Sequence, residues 1–263
     1  MDKVKAKKYL GQHFLTDLSV AKRIVDALSA DDTKNTLEIG PGMGVLTQFL
    51  KNRDDLNLRL VEIDTESVEY LHEHFNFTEN DIIEADFLKL KLDELFTDGE
   101  KFSVIGNFPY NISSQIFFHI LDYKDIVPQI VCMLQREVAK RLASGPGNKD
   151  YGILSVFLQA YYNIEYLFTV DENVFNPPPK VKSGVIKLVR NNVDNLGCDE
   201  KLFRIVVKST FNQRRKTIRN SIRSINFDYE SLKEHPFMQK RPEQLSVADF
   251  VELTNLVSQH LNN

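Results

Sequence analysis

Short runs of β-branched and apolar residues alternate with amphipathic stretches of helical length over residues 36–189. Such apolar runs are typical of buried strands, and apolar positions at helical spacing are typical of helices. The predicted strands are Thr36–Ile39, Leu58–Glu62, Asp81–Glu84, Ser103–Gly106, Gln129–Leu134, Tyr166–Val170 and Val185–Val189, and the predicted helices between them include Thr65–His74, Ser113–Leu121 and Gly152–Tyr162. This alternation predicts an α/β fold, in which helices cover both faces of a mostly parallel sheet.

The pattern changes towards the end of the chain. Only the proline-rich link Asn176–Lys182 separates the last two predicted strands, so we expect the sheet to end in an antiparallel pair. After Arg190 the strand patterns stop, and the polar segment Asn191–Asp199 has the composition of a linker. We therefore predict two domains, residues 1–190 with the sheet and residues 191–263 as a small all-helical domain. Its predicted helices are Glu200–Phe211, Arg214–Ser224 and Val247–His260, the last with Ser246 as its N-cap.

A glycine-rich turn, Gly40-Pro41-Gly42-Met43-Gly44, follows the first predicted strand. Glycine lets such a turn adopt positive φ angles and approach a ligand closely. The second predicted strand ends at Glu62, where a carboxylate can accept both hydroxyls of a ribose, and Asp86 follows the third. Each acid could simply cap a strand end. Two acids at successive strand ends after such a loop favour a nucleotide-cofactor site.

The spacing of these glycines, G-x-G-x-G, departs from the dinucleotide pattern G-x-G-x-x-G. It resembles the S-adenosylmethionine loop of class I methyltransferases, whose Rossmann-like sheet has seven strands and an antiparallel last pair. The resemblance implies S-adenosyl-L-methionine as the cofactor. It also implies that Gly40 and Gly42 approach the cofactor and that the side chain of Asp86 contacts its adenine amino group.

The segment Asn107-Phe108-Pro109-Tyr110 follows a predicted strand at the carboxyl edge of the sheet, where α/β proteins bind ligands. The N6 amino group of adenine is a poor nucleophile because its lone pair is delocalised into the ring. Two acceptors, the Asn107 side-chain oxygen and the Phe108 carbonyl, could draw this nitrogen towards a pyramidal geometry. Pro109 restricts Phe108 to an extended conformation, and Tyr110 could stack on an extruded base. The alternative is an ordinary strand-to-helix turn.

The distribution of charge along the chain indicates the kind of partner better than the net charge does. The formal net charge of −4 by itself argues against a nucleic-acid partner. Positive charges are clustered, however, in residues 1–10, 177–190 and 201–223, and the last two segments contain no Asp or Glu. Basic surfaces on an acidic body are expected of a protein that binds a phosphate backbone, although any one segment could be a solvated helix face. The candidate RNA-binding residues are Lys180, Arg214, Arg215, Lys216 and Arg219.

Several classes of protein are not favoured by the sequence. The two cysteines, Cys132 and Cys198, lie far apart, and the six histidines are scattered without a metal-binding motif. We therefore expect no disulfide framework and no metal site. The basic N-terminus lacks the apolar run of a secretory signal, and no apolar stretch approaches the about 20 residues that cross a bilayer. We predict a soluble cytoplasmic protein with no membrane partner.

Motifs along nearly the whole chain resemble those of the ribosomal small-subunit RNA adenine N6,N6-dimethyltransferase family (KsgA type). The matching segments are Leu10–Leu15, Leu37–Thr47, Asn107–Ser113, Phe175–Ser183, Phe211–Thr217 and Arg241–Leu245. The resemblance implies transfer of methyl groups from S-adenosyl-L-methionine to two adjacent adenosines near the 3′ end of 16S rRNA, and a role in small-subunit biogenesis. The cofactor contacts that it implies are His13, Leu15, Gly40, Glu62, Asp86 and Asn107.

The catalytic residues that this resemblance implies are Asn107, Phe108, Pro109, Tyr110 and Phe175. In the family, the residue that matches Phe175 lies against the flipped adenine. The chain departs from the family pattern at Phe108, where the family usually has Leu, and at Lys182, where it commonly has an acid. The first departure should be harmless, because the proposed contact is made by the main chain.

Two other functions remain open at this point. An adenine dimethyltransferase of the large ribosomal subunit shares the glycine loop and the N-x-P-Y motif, but the segment Phe211–Thr217 and the Pro-Pro-Pro-Lys run favour the small-subunit enzyme. A non-catalytic assembly factor could keep the same fold, but Glu62, Asn107 and Tyr110 are all present. We expect a monomer that acts on 16S rRNA in the small subunit or its precursor.

Overall fold

The computed structural model describes residues 4–97 and 99–262, so Lys3 of the basic N-terminal segment lies outside the described residues. The chain forms two compact units. The first contains the residues up to Ala139 and Asn163–Arg190, and the second contains Lys140–Tyr162 and Asn191–Asn263. One boundary between the units follows Arg190, and the second unit also includes Lys140–Tyr162, which the predicted first domain contained. The physical reason is packing, because Phe157 of this segment lies 6.1 Å from Phe203, ring centroid to ring centroid.

Within the described residues, seven strands form the main sheet and two short strands form a second one. The strands are β1 (Phe14–Leu15), β2 (Asn35–Ile39), β3 (Asn57–Glu62), β4 (Ile82–Glu84), β5 (Ser103–Asn107), β6 (Gln129–Gln135), β7 (Tyr162–Val170), β8 (Phe175–Asn176) and β9 (Ser183–Arg190). The order in the main sheet is β4-β3-β2-β5-β6-β9-β7. The first five strands in this order pair in parallel with their neighbours, and β9 is antiparallel to β6. The predicted Rossmann-like α/β sheet is confirmed.

The central strands are buried and largely apolar because helices cover the sheet. Strand β6 is buried at every residue except its last. Parallel strands that are buried on both faces read as continuous apolar runs, which is why periodicity located them. On one face, Ile105 and Val131 of the sheet share a core with Ile24 and Leu50 of two covering helices.

The helices in the described residues are α1 (Leu18–Asp26), α2 (Thr47–Leu50), α3 (Thr65–Phe75), α4 (Ser113–Asp122), α5 (Arg136–Ala143), α6 (Ile153–Gln159), α7 (Glu200–Asn212), α8 (Ile218–Ser221) and α9 (Val247–Gln259). The predicted Ser246 N-cap is confirmed, since its hydroxyl accepts from the Asp249 N–H at 3.1 Å. No helix of the described residues is both long and apolar enough to span a bilayer.

One predicted helix is wrong at its start. The helix expected from Arg214 begins at Ile218, and residues 213–215 form a turn. The Arg214 guanidinium donates to the carbonyls of Lys149 and Tyr151 within the same unit. These tertiary contacts hold Arg214 in the turn despite its good helix propensity.

The two-stranded sheet was not predicted. Strands β1 and β8 pair antiparallel, with Phe14 opposite Asn176 and Leu15 opposite Phe175. The Thr16 N–H extends the pairing by donating to the Val174 carbonyl at 2.8 Å. Strands of two residues are too short to show a period, so only the tertiary structure reveals that the N-terminal segment meets the segment around Phe175.

Gly106 of β5 supplies a test of sheet packing. A Cβ there would lie 2.5 Å from the Ile39 carbonyl oxygen of the neighbouring strand, which cannot move aside. We expect Gly106→Ala to lower the free energy of unfolding by about 1–3 kcal/mol, a typical cost of overpacking. Urea unfolding would measure it against Gly145→Ala, whose Cβ would meet nothing within 4 Å. Equal unfolding midpoints for the two variants would contradict this account.

Candidate active site

The glycine loop joins β2 to α2 and forms one wall of a cavity. Gly40, Gly42 and Gly44 have φ angles of 66°, 55° and 78°. The Gly40 N–H donates to the Val61 carbonyl at 2.9 Å, which holds the loop against β3. A Cβ at Gly40 would meet nothing within 4 Å, whereas one at Gly42 would lie 2.8 Å from the Phe14 ring. The loop is therefore held tightly at Gly42 and leaves open space at Gly40.

Glu62, at the end of β3, is almost fully buried beside this loop. Its Oε2 accepts from the Gly42 N–H at 3.0 Å, and its Oε1 accepts from the N–H groups of Ile63 and Asp64 at 2.9 and 3.0 Å. Burial raises the pKa of Glu62, and these hydrogen bonds partly offset the shift. The predicted carboxylate thus lies where expected, and it also binds the loop.

A second buried carboxylate supports the loop from its other side. Glu38 of β2 is 1% exposed, and its Oε2 accepts from the Thr47 hydroxyl at 2.7 Å. Because Glu38 precedes the loop and Thr47 follows it, this bond closes the loop at its base. Burial raises the pKa of Glu38 to about 8.

Asp86 follows β4 and lines the same cavity. Its Oδ1 caps a short turn by accepting from the Leu88 N–H at 3.1 Å, and its Oδ2 lies 3.5 Å from the Lys89 ammonium. Asp86 therefore does cap a turn, which was the alternative interpretation. It does so at the cavity wall, so capping and ligand contact are compatible.

Asn107, the last residue of β5, has a defined amide orientation. Its Nδ2 donates to the His13 carbonyl oxygen at 3.0 Å. A carbonyl can only accept, so the amide oxygen must occupy the other position. Among the described residues nothing donates to this oxygen or to the Phe108 carbonyl. Both oxygens belong to residues that line the cavity, and both are available as acceptors.

The residues beside Asn107 are also held in place. The Phe108 N–H donates to the Met133 carbonyl at 2.9 Å, and its buried ring packs edge-on against Phe117. The Tyr110 ring stacks on His13 with 5.5 Å between ring centroids. The hydroxyl groups of Tyr110 and Ser183 lie 2.5 Å apart, and burial raises the pKa of Tyr110. Ser183 was not predicted as a site residue, although it is the last residue of the Phe175–Ser183 segment.

A segment near the N-terminus also lines the cavity; we call Lys7–Leu15 the strap. Asp64, at the start of α3, accepts from the Lys7 ammonium and from the Gln12 amide. Burial alone would raise the pKa of Asp64, but these hydrogen bonds hold it below its usual value. The other end of the strap is fixed by His13, whose Nδ1 lies 2.8 Å from the Pro177 carbonyl oxygen. Gln12 could have been suspected only from its place in the Leu10–Leu15 motif.

The cavity enclosed by these walls has a volume of about 230 Å³. The structure brings most predicted site residues to its lining, namely His13, Gly40, Gly42, Glu62, Asp86, Asn107, Phe108, Pro109 and Tyr110. Leu15 and Phe175 are not among the lining residues. Each is 4% exposed, and they share a core cluster. Their contacts to cofactor and base stay predictions.

The predicted RNA-binding residues differ in their surroundings. Lys180 is exposed in the first unit, and Arg215, Lys216 and Arg219 are exposed in the second. Arg214 is half-buried by its contacts with the segment 149–151. Arg214 therefore has a structural role that the sequence did not show. No group of three metal-binding side chains occurs in the part of the chain that the structure describes.

Comparison with known proteins decides the family. A family model described as ribosomal RNA adenine dimethylase matches residues 3–259. The chain belongs to this family. It is 59% identical to the ribosomal RNA small subunit methyltransferase A of Phocaeicola vulgatus, with 100% of this chain and 93% of the relative covered. The protein with the same description from Porphyromonas gingivalis is also 59% identical, with 98% and 100% covered.

Solved structures support the fold. A dimethyladenosine transferase from Plasmodium falciparum is 22% identical, with a TM-score of 0.77 and coverage of 95% of this chain and 100% of that one. The 23S rRNA methyltransferase ErmE is 25% identical, with a TM-score of 0.66 and coverage of 94% and 100%. Both span the two compact units, so the methyltransferase fold extends over nearly the whole chain.

Glu38 predicts a specific pH dependence of stability. Its pKa rises from 4.5 to about 8 on folding, so the folded chain binds more protons than the unfolded chain between these values. The stabilisation is complete below about pH 4.5 and is lost as the pH rises through about 8. Glu38→Gln keeps an acceptor for Thr47 and cannot ionise. We expect its unfolding free energy to fall less over this range, and to exceed the wild-type value at about pH 8.

Urea unfolding at a series of pH values would measure this difference. Glu79→Gln is a matched control because Glu79 is exposed. If Glu38→Gln and the wild type showed the same pH dependence, Glu38 would be ionised in the folded protein and our account of its burial would be wrong.

Proposed function

We propose that this protein is a cytoplasmic methyltransferase that uses S-adenosyl-L-methionine to dimethylate the N6 amino groups of two adjacent adenosines near the 3′ end of 16S rRNA. Its substrate is the small ribosomal subunit or a precursor, and it contributes to small-subunit biogenesis. The observation that carries the proposal is the pair of available acceptors, Asn107 Oδ1 and the Phe108 carbonyl, in a cavity shared with the glycine loop and Glu62.

The cavity fits the proposed cofactor. Open space over Gly40 admits a ligand close to the backbone, as a Cβ there would meet nothing. Glu62 and Asp86 would accept hydrogen bonds from the ribose and adenine, and His13 also lines the cavity. When bound, S-adenosyl-L-methionine supplies an electrophilic methyl group on a positively charged sulfur. Leu15 would hold the cofactor only indirectly, by packing the end of the strap into the core.

The chain's own residues prepare the nucleophile. Asn107 Oδ1 and the Phe108 carbonyl would each accept one N6 hydrogen, which aligns the nitrogen lone pair with the methyl group. The His13 carbonyl fixes the Asn107 amide in advance, so little reorganisation is needed at the transition state. The proton leaves after the C–N bond has formed, when the nitrogen has become strongly acidic. A general base of shifted pKa is therefore unnecessary.

The target adenine must be extruded from the RNA helix to reach the cavity. Enzymes that modify a base extrude it into a pocket and stack it on aromatic rings. Tyr110 would supply this ring face, since His13 stacking and the Ser183 hydroxyl bond hold it in one orientation. Pro109 restricts the backbone at Phe108, which aims its carbonyl. Phe175 would support the base from the core behind β8.

RNA affinity would come largely from exposed basic residues. Lys180, Arg215, Lys216 and Arg219 would neutralise phosphates, which is the dominant sequence-independent term in RNA binding. Arg214 would instead maintain the turn that presents its neighbours. We propose that the protein acts as a monomer.

Relatives at 59% identity, which are described as small-subunit methyltransferases, favour the small subunit over the large-subunit alternative that ErmE represents. The oriented Asn107 amide argues against a factor that has lost its chemistry. A role in assembly could coexist with catalysis.

The decisive experiment uses small subunits from a strain that lacks this protein. We expect the wild type to produce dimethyladenosine, detected by mass spectrometry of digested RNA and by arrest of primer extension at two adjacent positions. Asn107→Ala should lower the single-turnover rate by about 100-fold or more, the scale for one preorganised hydrogen-bonding group. Its affinity for subunits should be nearly unchanged.

Asn52→Ala, at an exposed position outside the cavity, is the matched control. Near-wild-type yields from Asn107→Ala would mean that another group prepares the nucleophile. Arrest sites in 23S rRNA alone would show that the large-subunit alternative is correct.

Reversing the charges of Arg215, Lys216 and Arg219 to Glu should weaken subunit binding and leave cofactor binding unchanged. For a single strand, the salt dependence of log K should lose about 0.7 in slope for each phosphate contact removed. Binding titrations at several salt concentrations would measure both effects. Charge reversal at the exposed residues Lys22, Lys34 and Lys91 changes the net charge equally and is the control. Equal losses in both triple variants would mean that net charge, and not this surface, governs binding.

A further inference from the structure

One aromatic residue of the strap is exposed to solvent. Tyr9 is 76% exposed and lines the mouth of the cavity. All nine tyrosines lie in described residues, and Tyr9 is the only one of them that is exposed. The proposed roles of Asn107, Phe108 and Tyr110 make no use of it.

The backbone that carries Tyr9 is held firmly. The single turn Lys8–Leu10 closes with the Gly11 N–H donating to the Lys8 carbonyl at 3.1 Å. Gly11 has a φ of 66°, and a Cβ there would lie 2.5 Å from the Asn111 amide oxygen. Lys7 and Gln12 bind Asp64 on either side of the turn. The Tyr9 ring is therefore presented in a defined place.

The charges beside Tyr9 suit an RNA strand. Lys5 and Lys8 are exposed, whereas the Lys7 ammonium is engaged with Asp64 and Glu66. Two exposed cations and an exposed ring make the combination that binds single-stranded nucleic acid, in which phosphates pair with cations and bases stack on aromatic faces.

We propose that Tyr9 stacks on a nucleotide base that flanks the target adenosine, while Lys8 contacts a neighbouring phosphate. This inference rests on the proposed function and names how the strand is held at the entrance. The target base itself belongs with Tyr110, which is half-buried and lies within the wall that carries Asn107. Tyr9, at the mouth, is left for the adjacent base, so the strap contributes to RNA recognition as well as to the cofactor site.

The test compares Tyr9→Ala with Tyr9→Phe and Tyr9→Trp on unmethylated small subunits. One base–aromatic stack predicts an affinity loss of about 5- to 150-fold for Tyr9→Ala. Phe and Trp keep a ring face and should restore binding. At saturating subunits kcat should be unchanged while KM rises by the same factor. Leu18→Ala, an exposed apolar residue outside the cavity, is the matched control.

Salt dependence separates stacking from charge. A stack releases no counterions, so Tyr9→Ala should lower affinity at every salt concentration without changing the slope of log K against log salt. Lys8→Ala should reduce that slope by about 0.7. Calorimetry with S-adenosyl-L-methionine alone should give the same affinity for wild type and Tyr9→Ala.

Unchanged subunit affinity in Tyr9→Ala would overturn the inference, and so would a fall in cofactor affinity that accounts for the whole effect, since the ring would then cover the methyl donor. Failure of the proposed function looks different, because the wild type itself would not methylate small subunits. A wild type that methylates normally beside an unaffected Tyr9→Ala would reject this inference alone.

Discussion

The buried carboxylate of Glu62 is the interaction on which the candidate site depends. Removing a charge from water is costly, and burial does raise the pKa of this group. Hydrogen bonds from the N–H groups of Gly42, Ile63 and Asp64 offset that cost, each contributing about 1.5–3 kcal/mol for a charged acceptor. Because these donors belong to the glycine loop and to the turn after β3, one side chain fixes this wall of the cavity.

The position of Asp64 follows from that turn, and Asp64 in turn holds the strap. Lys7 and Gln12 bring to the cavity a segment that is distant in sequence. The strap in turn orients Asn107, because the His13 carbonyl accepts a hydrogen bond from the Asn107 amide. The amide of Asn107, the proposed acceptor, is thus oriented by the same segment that lines the cavity.

The candidate cofactor site and the candidate RNA-binding residues depend on different physical properties of this chain. The cavity relies on buried groups with defined partners, such as Glu62 and Asn107, whose geometry must be precise. The candidate RNA contacts, such as Arg215 and Lys216, are exposed and need only charge and approximate position. This difference explains how a chain with a net charge of −4 can carry strongly basic surfaces.

Local patterns determined the sheet and the chemistry at its carboxyl edge. Buried parallel strands are largely apolar runs. The glycine loop follows one such strand, and Glu62 and Asn107 end two others, so each was predictable from its immediate neighbours. Only the tertiary structure decided the pairing of β1 with β8, the burial of Phe175 and the turn at Arg214. These features depend on contacts between residues far apart in the chain, and no local periodicity or propensity encodes such contacts.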